Sequence, residues 1–426
     1  MGAPQPAEEL SRRRQLGAWY TPEALVDHVV SLALDARGLR RRGRALRVLD
    51  PACGDGRFLE AVRRRVGPVE LTGCDVDPGA LASSRDTLGD DAELIAADAL
   101  SHDWAGREFD LVIGNPPFLN RLATLTSRGH RSRWGGGPYA DAAAEFLALA
   151  VALTRPRGGR IALIVPQSLL TTRDVAPIRA DVIERAALTH LWWSPTSMFD
   201  AQVRTAALVL TTGAAQGAVR RTYGPTFDER GATPLQASWG ALLLDGDDAM
   251  QAPPSTRTVL GDLAVVSADF RDQYYGLVGA VGDEVDGPPL ITCGLIDPGR
   301  CRWGERPVRF AGQRYNAPRV ELSRLRPELQ RWAASRLVPK VLVANQTRTI
   351  EAVIDRTGAW LPSVPVISAV PRDQRDATAL DRIAAVLGSP QATAWVRHHA
   401  AGSGLSADTI RVSPRLVASI PVPDEH

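Results

Sequence analysis

Short apolar runs, separated by longer polar or mixed segments, recur through the first half of the chain. They lie at 45–50, 69–74, 93–97, 109–113, 160–165 and 205–210. Runs of this length are typical of buried strands, and most of the spacers between them are long enough to hold a helix. This alternation predicts an α/β domain that is built on a doubly wound parallel sheet.

The segment before the first run has the period of a helix. Within a helical pattern that we place over 8–47, apolar residues recur at near-helical spacing between positions 25 and 34. The triplet Thr21, Pro22 and Glu23 forms a helix start signal, because threonine is a good N-cap and proline suits the first helical position. We therefore predict a helix that begins here with Thr21 as its N-cap.

The composition changes after the last of these runs. Gly, Ala, Pro, Thr and Asp dominate between 212 and 256, which predicts a linker or a loop-rich crossing between domains. A chain of 426 residues is long enough for two domains with separate cores. We expect the first domain at 1–250 and a second, mixed α+β domain at 251–426.

Polar or glycine-rich segments follow the first three runs. Open parallel sheets bind their ligands at the carboxyl ends of the strands, so these segments should meet at one edge. Gly54 and Gly56 would let the backbone come close to a ligand. Asp75 stands where an acid can accept both hydroxyls of a ribose, and Asp98 is placed to accept from an adenine amino group. The pattern predicts a nucleoside-binding site.

The fourth run leads into Gly114, Asn115, Pro116, Pro117 and Phe118. Two prolines restrict the backbone, so the segment should be stiff. The Asn115 amide and the Pro116 carbonyl then offer two fixed acceptors beside the Phe118 ring. This arrangement predicts a site that grips a planar exocyclic amino group.

Composition and charge exclude several classes of protein. No run of about 18 apolar residues suggests a membrane span, and residues 1–16 lack an apolar signal core. The four cysteines form no CxxC pair and the histidines show no ligand spacing, so we expect a reducing cytoplasm and no structural metal. Val338 stands where a PD-(D/E)xK nuclease would need an acid before Lys340, so we expect no cleavage.

The net charge of +2 says little by itself, but its distribution is uneven. Residues 297–348 contain twelve basic and four acidic side chains, a local net charge of +8. We expect several of these arginines to contact phosphate groups of nucleic acid. Binding should then weaken steeply as the salt concentration rises, because neutralising phosphates releases counterions.

The order of these motifs resembles that of the gamma-class N6-adenine DNA methyltransferases, the TaqI-like modification enzymes. The resemblance covers 1–212 with specific motifs and 256–426 more loosely. It implies a Rossmann-like methyltransferase domain at 1–250 and a DNA target-recognition domain at 251–426. It also implies S-adenosylmethionine as the cofactor.

The resemblance further implies roles for individual residues. Asn115 and Pro116 would hold the target amino group, while Phe118 and Phe199 would cover the two faces of the flipped base. The implied catalytic set is Asn115, Pro116, Pro117, Phe118 and Phe199. The implied cofactor-binding set is Tyr20, Thr21, Pro22, Asp50, Pro51, Ala52, Cys53, Gly54, Gly56, Asp75, Val76, Asp98, Ala99, Asn115 and Phe146. At position 99 the family often has an aromatic residue that packs on the cofactor adenine, and Phe146 would take over that contact.

The activity implied is site-specific methylation of adenine N6 in double-stranded DNA by base flipping, in restriction-modification or phage defence. We expect a cytoplasmic monomer that contacts no membrane. Whether it also binds a restriction or defence protein stays open. Two alternatives stay open. The same clamp would suit RNA bases, cytosine N4 or protein glutamine, and the chain could instead be a partner-dependent or vestigial DNA-binding subunit of a defence complex.

Overall fold

The computed structural model describes residues 21–35, 39, 44–118, 132–137, 140–196, 198, 203–236, 238–244, 257–269, 271–400 and 409–423. The chain divides into two compact units, Met1–Asp245 and Gly246–His426. The first unit carries the motifs discussed above, and the second carries the basic stretch.

The first unit is organised around one nine-stranded sheet. Its strands are β1 (Leu46–Asp50), β2 (Val69–Asp75), β3 (Ala92–Ala96), β4 (Leu111–Gly114), β5 (Arg160–Pro166), β6 (Ala186–Trp193), β7 (Thr205–Thr212), β8 (Ala218–Tyr223) and β9 (Asp228–Pro234). They lie in the order β3-β2-β1-β4-β5-β7-β6-β8-β9. The strands from β3 to β5 are parallel, so the segments that follow β1, β2, β3 and β4 share one edge of the sheet.

Helices cover both faces of this sheet. They are α1 (Glu23–Leu34), α2 (Arg57–Arg65), α3 (Pro78–Leu88), α4 (Ala142–Leu153) and α5 (Ala176–Arg185). Alternate residues of a strand point to opposite faces. Accordingly Val48 packs into the core beneath α1, α2 and α3, whereas the neighbouring Leu49 packs into a second core beneath α4 and α5.

One prediction about the sheet needs correction. The expected linker over 212–256 is wrong for residues 218–234, which form a hairpin that extends the sheet. Its strand β8 runs parallel to β6 and buries Val219, so a segment of loop-like composition still contributes to the core. The predicted parallel arrangement of the first four strands is confirmed, and β7, further along the sheet, is antiparallel to both β5 and β6.

The start of α1 differs from the prediction as well. The N-cap is Pro22, with no side-chain capping bond, and Thr21 lies one residue before it. Thr21 as N-cap is therefore wrong. The helix ends at Leu34, and residues 44 and 45 are already outside it, so the predicted helical pattern over 8–47 is too long at this end.

The second unit is mixed α+β with several small sheets. A four-stranded antiparallel sheet has the order β10-β22-β18-β20. The strands of the unit are β10 (Ala264–Ala268), β11 (Val281–Gly282), β12 (Leu290–Ile291), β13 (Ile296–Asp297), β14 (Arg300–Cys301), β15 (Val308–Phe310), β16 (Gln313–Tyr315), β17 (Arg319–Val320), β18 (Lys340–Val343), β19 (Gln346–Thr347), β20 (Ala352–Asp355), β21 (Leu361–Pro362), β22 (Ile367–Pro371) and β23 (Ile410–Arg411). The helices are α6 (Leu260–Leu263), α7 (Arg271–Leu277), α8 (Pro327–Arg336), α9 (Ala379–Gly388), α10 (Pro390–Ala400) and α11 (Pro414–Ala418).

Candidate cofactor and base site

Asp50, the last residue of β1, lies at the centre of the predicted site. Its side chain is only 1% exposed, and Oδ1 accepts a hydrogen bond from the backbone N–H of Ala52 at 3.0 Å. The neighbouring strand β4 passes so close that a Cβ on Gly114 would lie 2.4 Å from Oδ1. Position 114 must therefore be glycine if Asp50 is to keep this place beside the segment that begins at Asn115.

The charge state of Asp50 is unusual. Burial raises the pKa of this carboxyl to about 8, the Ala52 N–H partly opposes that rise, and the nearby Asp75 and Asp55 add to it. Within the described part of the chain, the second oxygen, Oδ2, is buried and accepts no hydrogen bond. An isolated carboxylate is costly to bury, so this position would be stabilised by a cationic ligand group placed against Oδ2.

The turn from β1 into α2 is held in place by the end of β2. Asp75 accepts two backbone N–H groups, from Gly54 and from Asp77, each at 2.9 Å. The Cys53 N–H donates to the Cys74 carbonyl at 2.9 Å, and a Cβ on Gly73 would meet the Cys53 sulfur at 2.9 Å. These contacts explain why small residues occur here, and they fix the predicted glycine-rich turn beside Asp75.

Asn115 is held by a residue that lies 94 positions earlier in the chain. Its Nδ2 donates to the Thr21 hydroxyl at 3.0 Å, and Thr21 is only 3% exposed. Because the amide nitrogen faces Thr21, the amide oxygen points away from it. Arg57, in the first turn of α2, donates to the Thr21 carbonyl and so ties this segment to the glycine-rich turn. The sequence marked both Thr21 and Asn115 as site residues, but not this bond.

The aromatic and apolar residues predicted for the site lie in or against the cores of the first unit. Pro116 is buried, and the partly buried Phe118 packs against the cores on both faces of the sheet. Phe146, on α4, is buried in the same core as Ala99, and Ala52 packs against that core. The structure thus places Phe146 and Ala99 in one buried apolar core, and the adenine contact of Phe146 stays a prediction.

The region around Ala99 contains an aromatic residue that the motif comparison missed. The Trp104 indole donates to the Ala99 carbonyl at 3.0 Å, and its ring lies 6.0 Å from that of Phe109. Trp104 is buried. Its position five residues after Ala99 suggests no contact from spacing alone, so only the fold reveals it.

Two further residues of the predicted cofactor set are exposed. Asp98 is exposed and accepts the Leu100 N–H at 3.1 Å, while Val76 is an exposed apolar side chain directly after Asp75. Tyr20 and Phe199 lie outside the described residues, so their predicted roles stay predictions.

The basic stretch in the second unit is less available than its charge suggests. Several of its arginines form ion pairs within the unit, and the pairs are Arg300–Glu305, Arg302–Asp297, Arg306–Asp297, Arg324–Glu321 and Arg336–Asp269. Lys340, the single lysine of the sequence, is fully buried and lies 2.6 Å from Asp355. These ion pairs are contacts within the second unit itself.

Across the residues with assigned positions, no group of three or more His, Cys, Asp or Glu side chains is arranged to hold a metal ion. Over the same parts of the chain, no helix is long and apolar enough to cross a bilayer.

Comparison with curated proteins finds relatives among methyltransferases. Type II methyltransferase M.TthHB8I of Thermus thermophilus is 33% identical over 194 residues, which cover 42% of this chain and 41% of that protein. Ribosomal RNA small subunit methyltransferase C of Pasteurella multocida is 43% identical over 81 residues, covering 18% of this chain and 24% of that protein. The chain therefore matches well under half the length of either relative.

Comparison with solved structures extends over both units. The Type IIL restriction-modification enzyme MmeI, solved in complex with DNA, gives a TM-score of 0.63 at 13% identity, covering 96% of this chain and 68% of that one. At this identity the likeness speaks for the fold alone. Together with the nine-stranded sheet, it confirms the predicted fold class.

The sequence model of a known family spans the first unit. It describes the N-6 DNA methylases and matches residues 9–223, about half of the chain. This match confirms the resemblance that the motif order indicated: the protein belongs to the N-6 DNA methylase family.

Proposed function

We propose that this protein transfers a methyl group from S-adenosylmethionine to N6 of adenine in double-stranded DNA, as part of restriction-modification or phage defence. The observation that carries the proposal is the orientation of Asn115. Asn115 directly follows β4, and its amide nitrogen donates to the hydroxyl of the buried Thr21, which turns the amide oxygen away from Thr21. In this proposal that oxygen is the acceptor for the target amino group.

The residues around Asp50 fit the proposed cofactor. S-adenosylmethionine carries an ammonium group and a sulfonium, and buried Oδ2 of Asp50 is an acceptor that such a cation would stabilise. Asp75 accepts two N–H groups, and a carboxylate has about four acceptor positions, so ribose hydroxyls can still bind there. Val76 offers an exposed apolar surface for a nucleobase. When bound, the cofactor supplies an electrophilic methyl group.

The clamp formed by Asn115 and Pro116 explains how a weak nucleophile would react. The lone pair of adenine N6 is delocalised into the ring, so the nitrogen is planar and unreactive. Hydrogen bonds from the amino group to the Asn115 Oδ1 and the Pro116 carbonyl favour a tetrahedral nitrogen whose lone pair points at the methyl group. No general base is needed before transfer, because the methylated ammonium is acidic and loses its proton afterwards. Positioning supplies most of the catalysis.

The target nitrogen is buried in the duplex, so the base must leave the stack to reach this clamp. Flipping costs roughly a few kcal/mol, and stacking on Phe118 would offset part of it. In this proposal Phe199 covers the other face of the base, and the second unit reads the DNA sequence.

The test compares wild-type protein with Asn115→Ala on unmethylated duplex DNA and measures the rate of methyl transfer. We expect transfer to fall by about 100-fold or more, since losing positioned hydrogen-bonding groups commonly costs that much. Cofactor binding is measured alongside, with Asn316→Ala, an exposed asparagine of the second unit, as the matched control. An Asn115→Ala protein that binds cofactor and methylates at the wild-type rate would refute the clamp.

A further inference from the structure

A small hairpin in the second unit places two arginines directly opposite each other. Strands β15 and β16 are antiparallel, and their register pairs Arg309 with Arg314. Both side chains are exposed, while Val308 and Phe310 on the other face are buried. Residues opposite each other in an antiparallel pair have Cβ atoms about 4.5–5.5 Å apart, so two positive charges share one side of the hairpin.

This pairing is unfavourable by itself. Like charges directly opposite each other destabilise a pair of strands. Throughout the described parts of the chain, neither Arg309 nor Arg314 lies within ion-pair distance of an acidic group. Other arginines of the basic stretch, such as Arg300 and Arg324, do have acidic partners. The pair is therefore a local concentration of uncompensated charge.

The hairpin that carries the pair is firmly anchored. Its two-residue loop has positive φ at Ala311 (49°) and Gly312 (82°), as tight hairpin turns require. The Ala311 N–H donates to the Tyr274 hydroxyl at 3.0 Å, and the rings of Tyr274 and Phe310 lie 4.8 Å apart. The arginine pair thus projects from an ordered hairpin, so binding a ligand would order the two side chains but not the backbone that carries them.

An exposed aromatic side chain lies beside this hairpin. The ring of Tyr275 is 5.5 Å from that of Tyr274, and the residue is 66% exposed. The ring of Tyr274 packs against Phe310, on the face of the hairpin opposite the two arginines. The preference for nucleic acid over a small anion therefore rests on the paired arginines and on the local net charge of +8 over residues 297–348.

We propose that Arg309 and Arg314 form a phosphate clamp that holds the backbone of duplex DNA. The inference rests on the proposed function, because it takes DNA as the substrate and assigns it a contact point. Guanidinium groups bind phosphate oxygens in a bidentate manner, and two of them side by side match two successive phosphates along a strand. Binding the phosphates removes the repulsion within the pair.

The experiment measures binding of the full chain to an unmethylated duplex between about 50 and 200 mM salt. The test variant is Arg309→Gln/Arg314→Gln. The control is Arg300→Gln/Arg324→Gln, which removes the same two charges from arginines that already have acidic partners. Each lost phosphate contact lowers the slope of log K against log salt by about 0.9. We expect the slope to fall by about 1.8 in the test variant and by less than about half of that in the control.

The following results support or overturn the clamp. Arg309→Lys/Arg314→Lys should keep most of the salt slope, and Arg309→Gln/Arg314→Gln should unfold at no lower temperature than wild type, because a repulsion has been removed. A wild-type slope in the test variant, or an equal loss in the control, would overturn the clamp alone if the wild type still methylates DNA. A wild type that neither binds nor methylates duplex DNA would overturn the clamp and the proposed function together.

Discussion

Replacing Thr21 with valine removes the hydroxyl that holds Asn115 while keeping nearly the same shape. The Thr21 side chain is almost fully buried, and its Oγ1 lies 3.0 Å from the Asn115 amide nitrogen. In Thr21→Val the amide nitrogen loses this hydrogen bond, so the direction of the amide oxygen is held less strongly. The conservative change Thr21→Ser keeps the hydroxyl and serves as the control.

The size of the effect follows from the burial of the bond. Leaving a buried polar group without its partner costs about 1–3 kcal/mol. If that energy is lost in the transition state, methyl transfer slows by about 5- to 150-fold, because about 1.4 kcal/mol corresponds to tenfold in rate. Thr21→Ser loses only a methyl group, worth about 0.8 kcal/mol, so its rate should stay within about fivefold of wild type.

Single-turnover methylation at saturating cofactor and DNA measures this rate directly. Saturation matters because Thr21 also belongs to the predicted cofactor set, and cofactor affinity is measured separately by titration. The reasoning is refuted if Thr21→Val reacts at the wild-type rate, or if its whole defect disappears when cofactor is raised. The second result would place the role of Thr21 in cofactor binding instead of in orienting Asn115.

Two further predictions concern buried charges. Burial raises the pKa of Asp50 to about 8, so the protein without cofactor holds this proton more tightly than the unfolded chain, and its stability should fall as pH rises from about 4 to 8. A cationic cofactor favours the ionised Asp50 carboxylate, so the affinity for the cofactor should rise by up to about tenfold per pH unit from pH 6 to 8 and level off above pH 8. Calorimetry should find no such dependence in Asp50→Asn. Equal pH profiles of the wild type and Asp50→Asn would contradict this prediction. Lys340→Met leaves the buried Asp355 carboxylate without its cationic partner and should lower the free energy of unfolding by about 3–5 kcal/mol. Arg356→Met, which removes an exposed partner of Asp381, should cost much less in the same urea titration, and equal losses would refute the distinction.

The sequence predicts best what depends on short-range pattern. Apolar runs mark the strands β1 to β5, and the polar or glycine-rich segments that follow these strands lie at the carboxyl edge of the sheet. The motif order also led to the correct family. These features are local, since each depends on a few consecutive residues and on the rule that parallel strands end at one edge.

Contacts between distant segments could not be read in this way. The bond from Asn115 to Thr21 joins residues 94 positions apart, and the helix start signal at Thr21 suggested a capping role instead. Residues 218–234 have the composition of a loop but become strands because β6 offers them an edge to pair with. Likewise a positive stretch read from sequence does not reveal that Arg336 is paired with Asp269 while Arg309 faces Arg314.

The most direct test of the account is to find which atom receives the methyl group. Labelled S-adenosylmethionine is incubated with the protein and, in parallel, with unmethylated duplex DNA, ribosomal RNA and cell protein, and the products are digested and separated. The account predicts label in N6-methyladenine from duplex DNA, and none when Asn115→Ala replaces the wild type. Label in RNA, in protein or in N4-methylcytosine, with DNA adenine unlabelled, would contradict it.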